Sequence, residues 1–129
     1  MSGREKHPTI APNDLARFKT LVPLVESMHD DVRELARKNQ NAPLSKSRVS
    51  MINRLLSGVK ILLKEEPTAE YLPLLDEETL PQNADALLTL GQFKAALDQF
   101  REKYTYFEED EEQTYWRTSG RRLEKSEED

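Results

Sequence analysis

Apolar side chains recur at helical spacing in the first third of the chain. From Asn13 onward, gaps of three and four residues alternate, which places the apolar residues on one face of a helix. The face consists of Leu15, Phe18, Val22, Val25, His29, Val32 and Ala36, flanked by Leu21, Met28 and Leu35. With Asn13 as a suitable N-cap, the pattern predicts a helix over residues 13–39. Pro23 lacks the amide proton that a helix needs, so we expect a kink or break near residues 20–22.

A second helix is predicted after the proline-containing connection at residues 39–43. Ser45 can cap it, and its wide apolar arc requires more than one neighbouring element. The arc consists of Val49, Ile52, Leu55, Leu56, Val59, Leu62 and Leu63. Pro67 ends this helix near residue 65, Thr68 can cap a short helix over residues 68–75, and residues 76–82 read as a loop.

The clearest periodicity in the chain predicts a last helix over residues 84–107. Its apolar positions alternate by four and three residues through three heptads, as in a core seam or a coiled-coil face. They are Ala86, Leu90, Phe93, Leu97, Phe100, Tyr104 and Phe107. The four predicted helices indicate an all-α small helical bundle, with buried positions at Leu56 and Leu97.

The chain becomes acidic and polar after Phe107, beginning with the five acids of residues 108–112. Such a segment buries too little apolar area to offset the entropy lost on ordering. We therefore expect a flexible arm at residues 1–12, a bundle domain at 13–107 and a disordered acidic tail at 108–129. Tyr115 and Trp116 lie within this tail, where they either anchor a partner or fold back onto the bundle.

The composition fits one domain that works in the cytoplasm. The chain has 129 residues, 36% of them hydrophobic, and no cysteine, so it has neither a disulfide framework nor a thiolate site. Its first residues lack the apolar stretch of a signal peptide, and no run approaches the ~18 apolar residues of a membrane helix. We expect no membrane association.

Charge is unevenly distributed along the chain. Residues 33–64 hold eight Lys or Arg against one Glu, whereas residues 65–100 hold one Lys against eight acids. On the second predicted helix, cations and short polar residues share a sector opposite the apolar arc. The sector contains Lys46, Ser50, Asn53, Ser57, Lys60 and Lys64, bordered by Arg54. Such a surface suits contact with a phosphate backbone, but an ordinary solvated helix, or one screened by nearby acids, has the same pattern.

Catalytic and metal-binding patterns are not recognisable in the sequence. His7 and His29 have no second histidine at ligand spacing, and the adjacent Asp30 and Asp31 point about 100° apart on a helix. The acids of residues 76–78 lack the glycine and the spacing of a calcium loop. The four glycines are too scattered to cradle a phosphate. We therefore expect a protein that is not an enzyme and that uses no metal or cofactor.

These features favour a helical protein-interaction module, such as an adaptor, a scaffold or a small subunit that docks on a partner or self-associates. The alternative is a nucleic-acid-binding protein that uses the basic face of helix 46–65, with the acidic tail as a competitor. The candidate partner-binding residues are Lys46, Asn53, Arg54, Lys60, Lys64, Tyr115 and Trp116. If the basic face takes part in binding, reversing the charge of Lys60 and Lys64 should weaken it. Unchanged binding would leave the apolar helix faces or the Tyr115-Trp116 tail as the binding surface.

Overall fold

A computed structural model describes residues 7–119 and the backbone of residues 124–125. This part of the chain is mostly helical and carries a small antiparallel sheet. Helix α1 spans Pro12–Lys38, α2 spans Lys46–Leu62 and α3 spans Asn83–Tyr104. The sheet contains β1 (Thr105–Glu108), β2 (Gln113–Trp116) and β3 (Glu124–Lys125), in the order β1-β2-β3.

Helix α1 continues through Pro23 as one element, so the chain does not break at residues 20–22, and the kink near Pro23 stays a prediction. Pro23 lies on the exposed side of the helix, as does the residue one turn earlier, Lys19. Solvent, rather than a packed neighbour, therefore surrounds the place where the proline ring disturbs the helix. The burial of Phe18, Val22 and Val25 on the other side holds both halves of α1 against the core.

The predicted short helix at residues 68–75 is also wrong. The structure has one 3₁₀ segment, Pro67–Tyr71, after which the chain is irregular until α3. Pro73 explains the early end, because a residue that precedes proline is disfavoured in the helical conformation. The irregular stretch then runs alongside α2, and its Leu72 and Leu75 side chains are buried.

Strands replace part of the predicted disordered tail. Helix α3 ends at Tyr104, three residues before the predicted end, and β1 pairs with β2 in the register Thr105↔Trp116 and Tyr106↔Tyr115. β-branched and aromatic residues favour this extended pairing. The prediction of disorder is therefore wrong for residues 108–119, and the rest of the predicted tail, apart from residues 124–125, lies outside the described residues.

The first described residues pair with the chain that follows β2. The Ile10 amide donates to the Arg117 carbonyl at 2.8 Å, and the Ser119 amide donates to the Ile10 carbonyl, also at 2.8 Å. The Ile10 side chain is buried. The predicted flexible arm at residues 1–12 is therefore wrong at Ile10, whereas residues 1–6 lie outside the described part.

One apolar core joins the three helices and the hairpin. Helix α1 packs against both α2 and α3. Leu56 and Leu97 are buried as predicted, and Trp116 joins the core from β2 with 2% of its surface exposed. Its ring meets that of Phe18 edge-on, with centroids 5.0 Å apart, and Phe18 stacks on Phe100 at 5.5 Å.

Candidate functional site

Two candidate binding residues on α2 bind the irregular segment of this same chain instead. The Asn53 side chain is buried, and it donates from Nδ2 to the Leu75 carbonyl (2.8 Å) while its Oδ1 accepts from the Leu75 amide (2.9 Å). Lys60 Nζ donates to the Leu72 carbonyl. The predicted outward position of Asn53 is wrong, and a charge reversal at Lys60 would disturb an internal contact.

Lys46 and Arg54 remain on the exposed surface of α2, and Lys64 is exposed in the turn that follows the helix. The arginines that gave this region its strong positive charge are mostly paired with acids of α1. Arg33 meets Asp30 at 2.8 Å, Arg37 meets Glu34 at 2.7 Å and Arg48 meets Asp31 at 3.0 Å. The hydrogen bond from the Arg37 side chain lowers the pKa of Glu34. The basic segment is therefore partly neutralised within the fold.

The two aromatic candidates in the hairpin lie on opposite faces of the sheet. Trp116 faces the core and is unavailable to a partner while the hairpin is docked. Tyr115 faces the other way and is half-buried beside Tyr106, with ring centroids 5.9 Å apart. Its hydroxyl donates to Glu111, and this hydrogen bond raises the pKa of the Tyr115 hydroxyl.

An apolar groove of about 430 Å³ lies between α1 and α2. Its apolar side chains are Leu21, Leu24 and Met28 from α1 and Met51 and Leu55 from α2. Leu24 is 50% exposed and Met51 is 56% exposed, so two large apolar side chains border a concavity that the described chain leaves open. Concave, mainly apolar surfaces of this kind are where proteins bind ligands and partner elements.

Local sequence shapes the groove. Gly58 of α2 faces Leu21, and a Cβ at that glycine would lie 3.4 Å from a Leu21 methyl group. A Cβ there would make ordinary van der Waals contact with Leu21, so α1 and α2 already pack closely at the groove floor. The Arg48–Asp31 ion pair crosses between the helices, and Arg54 contributes a charged group to the lining together with Asp31 and Ser27.

Sequence reasoning named one residue of this groove, Arg54, as a partner-binding candidate, and placed Met28 beside the apolar face of the first helix. Met28 is half-buried and Met51 is exposed. The available signal was the apolar arc of α2, which is too wide for one neighbour. Periodicity shows which face of a helix is apolar but not which part of that face another element covers.

A second cavity, of about 300 Å³, lies between the start of the 3₁₀ segment and α3. Glu66 accepts from Lys103 Nζ at 2.9 Å and from the Tyr104 hydroxyl at 2.7 Å. The hydrogen bond to Glu66 raises the pKa of Lys103, and burial raises the pKa of Tyr104. Both carboxylate oxygens are thus occupied, and the cluster fastens the end of α3 to the chain that follows α2.

His29 is the one histidine that the structure places in a partly buried environment within residues 7–119. Burial, followed by the charges of Lys94 and Arg33, lowers its pKa. Among the described residues, no three His, Cys, Asp or Glu side chains converge as metal ligands. In the same part of the chain, every helix is too short or too polar to cross a membrane.

No family model, curated protein or solved structure matches this chain.

Proposed function

We propose that this protein is a non-catalytic helical interaction module, an adaptor or small subunit, that binds its partner in the α1–α2 groove. The observation that carries the proposal is the half-exposed state of Leu24 and Met51 at the edge of a 430 Å³ apolar concavity. Leaving apolar area in water forgoes about 25 cal/mol per Å². A partner that covers these side chains recovers that free energy.

The surrounding structure supports a preformed site. Leu21 is buried at the groove floor, and Asn53 on another side of α2 fastens the 72–77 segment, so the helix is held on two sides. Interaction sites on rigid elements lose little entropy on binding. The groove can therefore receive a partner without rearrangement of the helices.

The nucleic-acid alternative receives less support. Arg33, Arg37 and Arg48 each pair with an acid of α1, and Lys60 holds a backbone carbonyl. The remaining cations on α2 are few for the counterion release that drives phosphate-backbone binding. A Lys46→Glu/Lys64→Glu double variant tests this alternative better than a variant at Lys60. If this variant and wild type bind nucleic acid equally at every salt concentration, the nucleic-acid alternative is eliminated.

The proposal is tested with a Leu24→Asn/Met51→Asn double variant of the full chain, affinity-purified from the native host beside wild type. Both sites are half exposed, so folding should be nearly unaffected, by about 0.5 kcal/mol or less at each position. We expect a specific co-purifying protein, measured by quantitative mass spectrometry, to be lost from the variant.

Leu88→Asn is the matched control, because Leu88 is a leucine on α3 with 68% exposure that does not line the groove. It should retain the partner. Light scattering of wild type and the groove variant then shows whether the partner is a second copy. Circular dichroism should show that wild type, the groove variant and the Leu88→Asn variant are all folded. Equal recovery of the partner by these three proteins would then refute the assignment to the groove.

A further inference from the structure

We infer that the α1–α2 groove binds a partner's amphipathic helix that presents an apolar ridge to the groove and an acidic residue to Arg54. This inference rests on the proposed function and adds the chemistry of the occupant. It follows from the hydrogen-bonding capacity of the groove, its length, its adaptable side chains and its one uncompensated charge.

The hydrogen-bonding capacity favours a helix over an extended peptide. The groove walls are helices whose backbone groups are bonded internally, and the lining offers polar groups only at Ser27, Asp31 and Arg54. An extended peptide would bury its own amides and carbonyls against leucine and methionine, which costs free energy for each unpaired group. A helix satisfies its backbone internally and presents only side chains.

The length of the groove matches two turns of a bound helix. Leu21, Leu24 and Met28 follow one face of α1 at gaps of three and four, so they span seven residues, or about 10 Å at 1.5 Å per residue. Met51 and Leu55 border the same space from α2. A helix laid along it would insert apolar side chains at positions i, i+3 or i+4, and i+7.

The two methionines make the groove adaptable. Met28 and Met51 are unbranched and polarisable, and such side chains repack around differently shaped apolar groups. Leu21 and Leu55 supply a less mobile floor and wall. The groove therefore accommodates a helical ridge without requiring one fixed sequence of apolar residues.

The charges on the groove determine the sign of the complementary group. Asp31 is already bound by Arg48 at 3.0 Å, whereas Arg54 is exposed and forms no ion pair with the described residues. An acidic residue beside the apolar ridge of the ligand would satisfy Arg54. A basic residue at that place would be repelled.

A second copy of this chain fits the groove poorly. On the three α-helices, the exposed large apolar residues are Leu24 and Met51 at the groove, Ile61 farther along α2, and Leu88 alone on α3, while Tyr71, Leu74 and Phe107 lie outside these helices. No described helix therefore presents an apolar ridge outside the groove region. In a dimer formed through this region, the groove of one copy would face the groove of the other. Two concave surfaces leave unfilled space between them.

The test uses the full chain with ¹³C-methyl methionine, because Met28 and Met51 both line the groove. The probe is a synthetic helix of about 18 residues, above the length at which isolated helices are marginal. It carries leucines at i, i+4 and i+7 with a flanking glutamate, and a second peptide has lysine in place of that glutamate. We expect the glutamate peptide to shift the methyl signals of Met28 and Met51.

Charge reversal of Arg54 makes the test specific. Arg54→Glu should weaken the glutamate peptide by about two- to fivefold, as expected for an exposed ion pair, and should strengthen the lysine peptide. Lys64→Glu reverses an exposed charge just after the end of α2, away from the groove lining, and should change neither affinity.

The result that would overturn the inference is an absence of methyl shifts with either peptide, or equal affinities for both peptides in wild type and Arg54→Glu. If the Leu24→Asn/Met51→Asn variant still loses its cellular partner in that case, the groove is an interaction site for another kind of occupant, and only the helix inference fails. Concentration-dependent shifts without peptide would identify a second copy as the occupant and would also overturn it.

Discussion

Glu112 ends the turn of the β1–β2 hairpin in a left-handed conformation, with φ 51°. It is the one non-glycine residue with positive φ in the described part of the chain. Its amide donates to the Glu109 carbonyl at 3.2 Å, so the hairpin requires this backbone conformation. A residue with a Cβ pays a steric cost there that glycine avoids.

Glu112→Gly should therefore stabilise the protein by about 1 kcal/mol, partly offset by the greater entropy of glycine in the unfolded chain. Urea denaturation followed by circular dichroism measures the change. Asp110→Gly is the control, because that position of the same turn lacks positive φ and should lose stability. Equal effects of both substitutions would contradict this description of the turn.

His29 makes stability depend on pH through its partly buried ring. Burial and the nearby Lys94 and Arg33 charges lower its folded-state pKa below the unfolded value of 6.5. The unfolded chain therefore binds the proton more readily, and the stability present above about pH 6.5 is lost as the pH falls through the folded pKa. His29→Gln should reduce the loss of unfolding free energy between about pH 7 and pH 5 relative to wild type. His7→Gln, in the exposed segment before α1, should retain the wild-type slope, and an identical slope for both variants would contradict the prediction.

At the scale of elements, side-chain contacts fasten irregular chain to the helices. Asn53 bonds both backbone groups of Leu75, and Asn83 Nδ2 donates to the Asn39 carbonyl at 2.9 Å just beyond the end of α1. Each amide side chain is buried. Removing one partner of such a pair leaves buried polar groups without hydrogen bonds.

Asn53→Ala should lower the free energy of unfolding by about 1–3 kcal/mol, because the Leu75 amide and carbonyl lose their partner. Thermal denaturation with the exposed Ser50→Ala variant as control measures this loss. If the melting temperature of Asn53→Ala equals that of Ser50→Ala and of wild type, the 72–77 segment is not held to α2 as described.

The hairpin is a structural element of the core, so its removal should destabilise the protein. A chain that ends at residue 107 loses Trp116 and the Ile10 hydrogen bonds, whereas one that ends at residue 119 retains them. We expect the shorter protein to melt at a substantially lower temperature and Trp116→Ala alone to cost about 3–5 kcal/mol. A chain ending at 107 that melts like the one ending at 119 would show that the hairpin contributes nothing to the core.

The three long helices were predictable within a few residues because their apolar periodicity is clear. Ser45 caps α2 as predicted, whereas the predicted cap Asn13 lies inside α1, whose N-cap is Ala11 and whose second residue it is. The hairpin was not predictable in this way. Phe107 continues the heptad spacing of α3, and the spacing alone does not reveal that Thr105 begins a strand. β pairing depends on a partner strand, here Gln113–Trp116, that local periodicity does not identify. Asn53 was misplaced because the polar sector of α2 was assigned to solvent before the 72–77 segment was known to cover it.

At the scale of the whole molecule, the segregated charge of the sequence becomes a set of internal ion pairs. Arg33, Arg37 and Arg48 meet acids of α1, and exposed pairs of this kind contribute little stability individually. Their effect is to reduce the positive field along α1 and α2. The α1–α2 groove, with two large apolar side chains half exposed at its edge, is then the surface best suited to a partner.

The most direct test of this account is site-specific photo-crosslinking in living cells, with benzoylphenylalanine at position 51 and, as a matched control, at position 88. Met51 borders the groove, and Leu88 is a comparably exposed apolar residue on α3. The account predicts a discrete cross-linked product from position 51 that the Leu24→Asn substitution removes, and no such product from position 88. The absence of an adduct at position 51, or the same adduct from both positions, would contradict the claim that the groove is the docking surface.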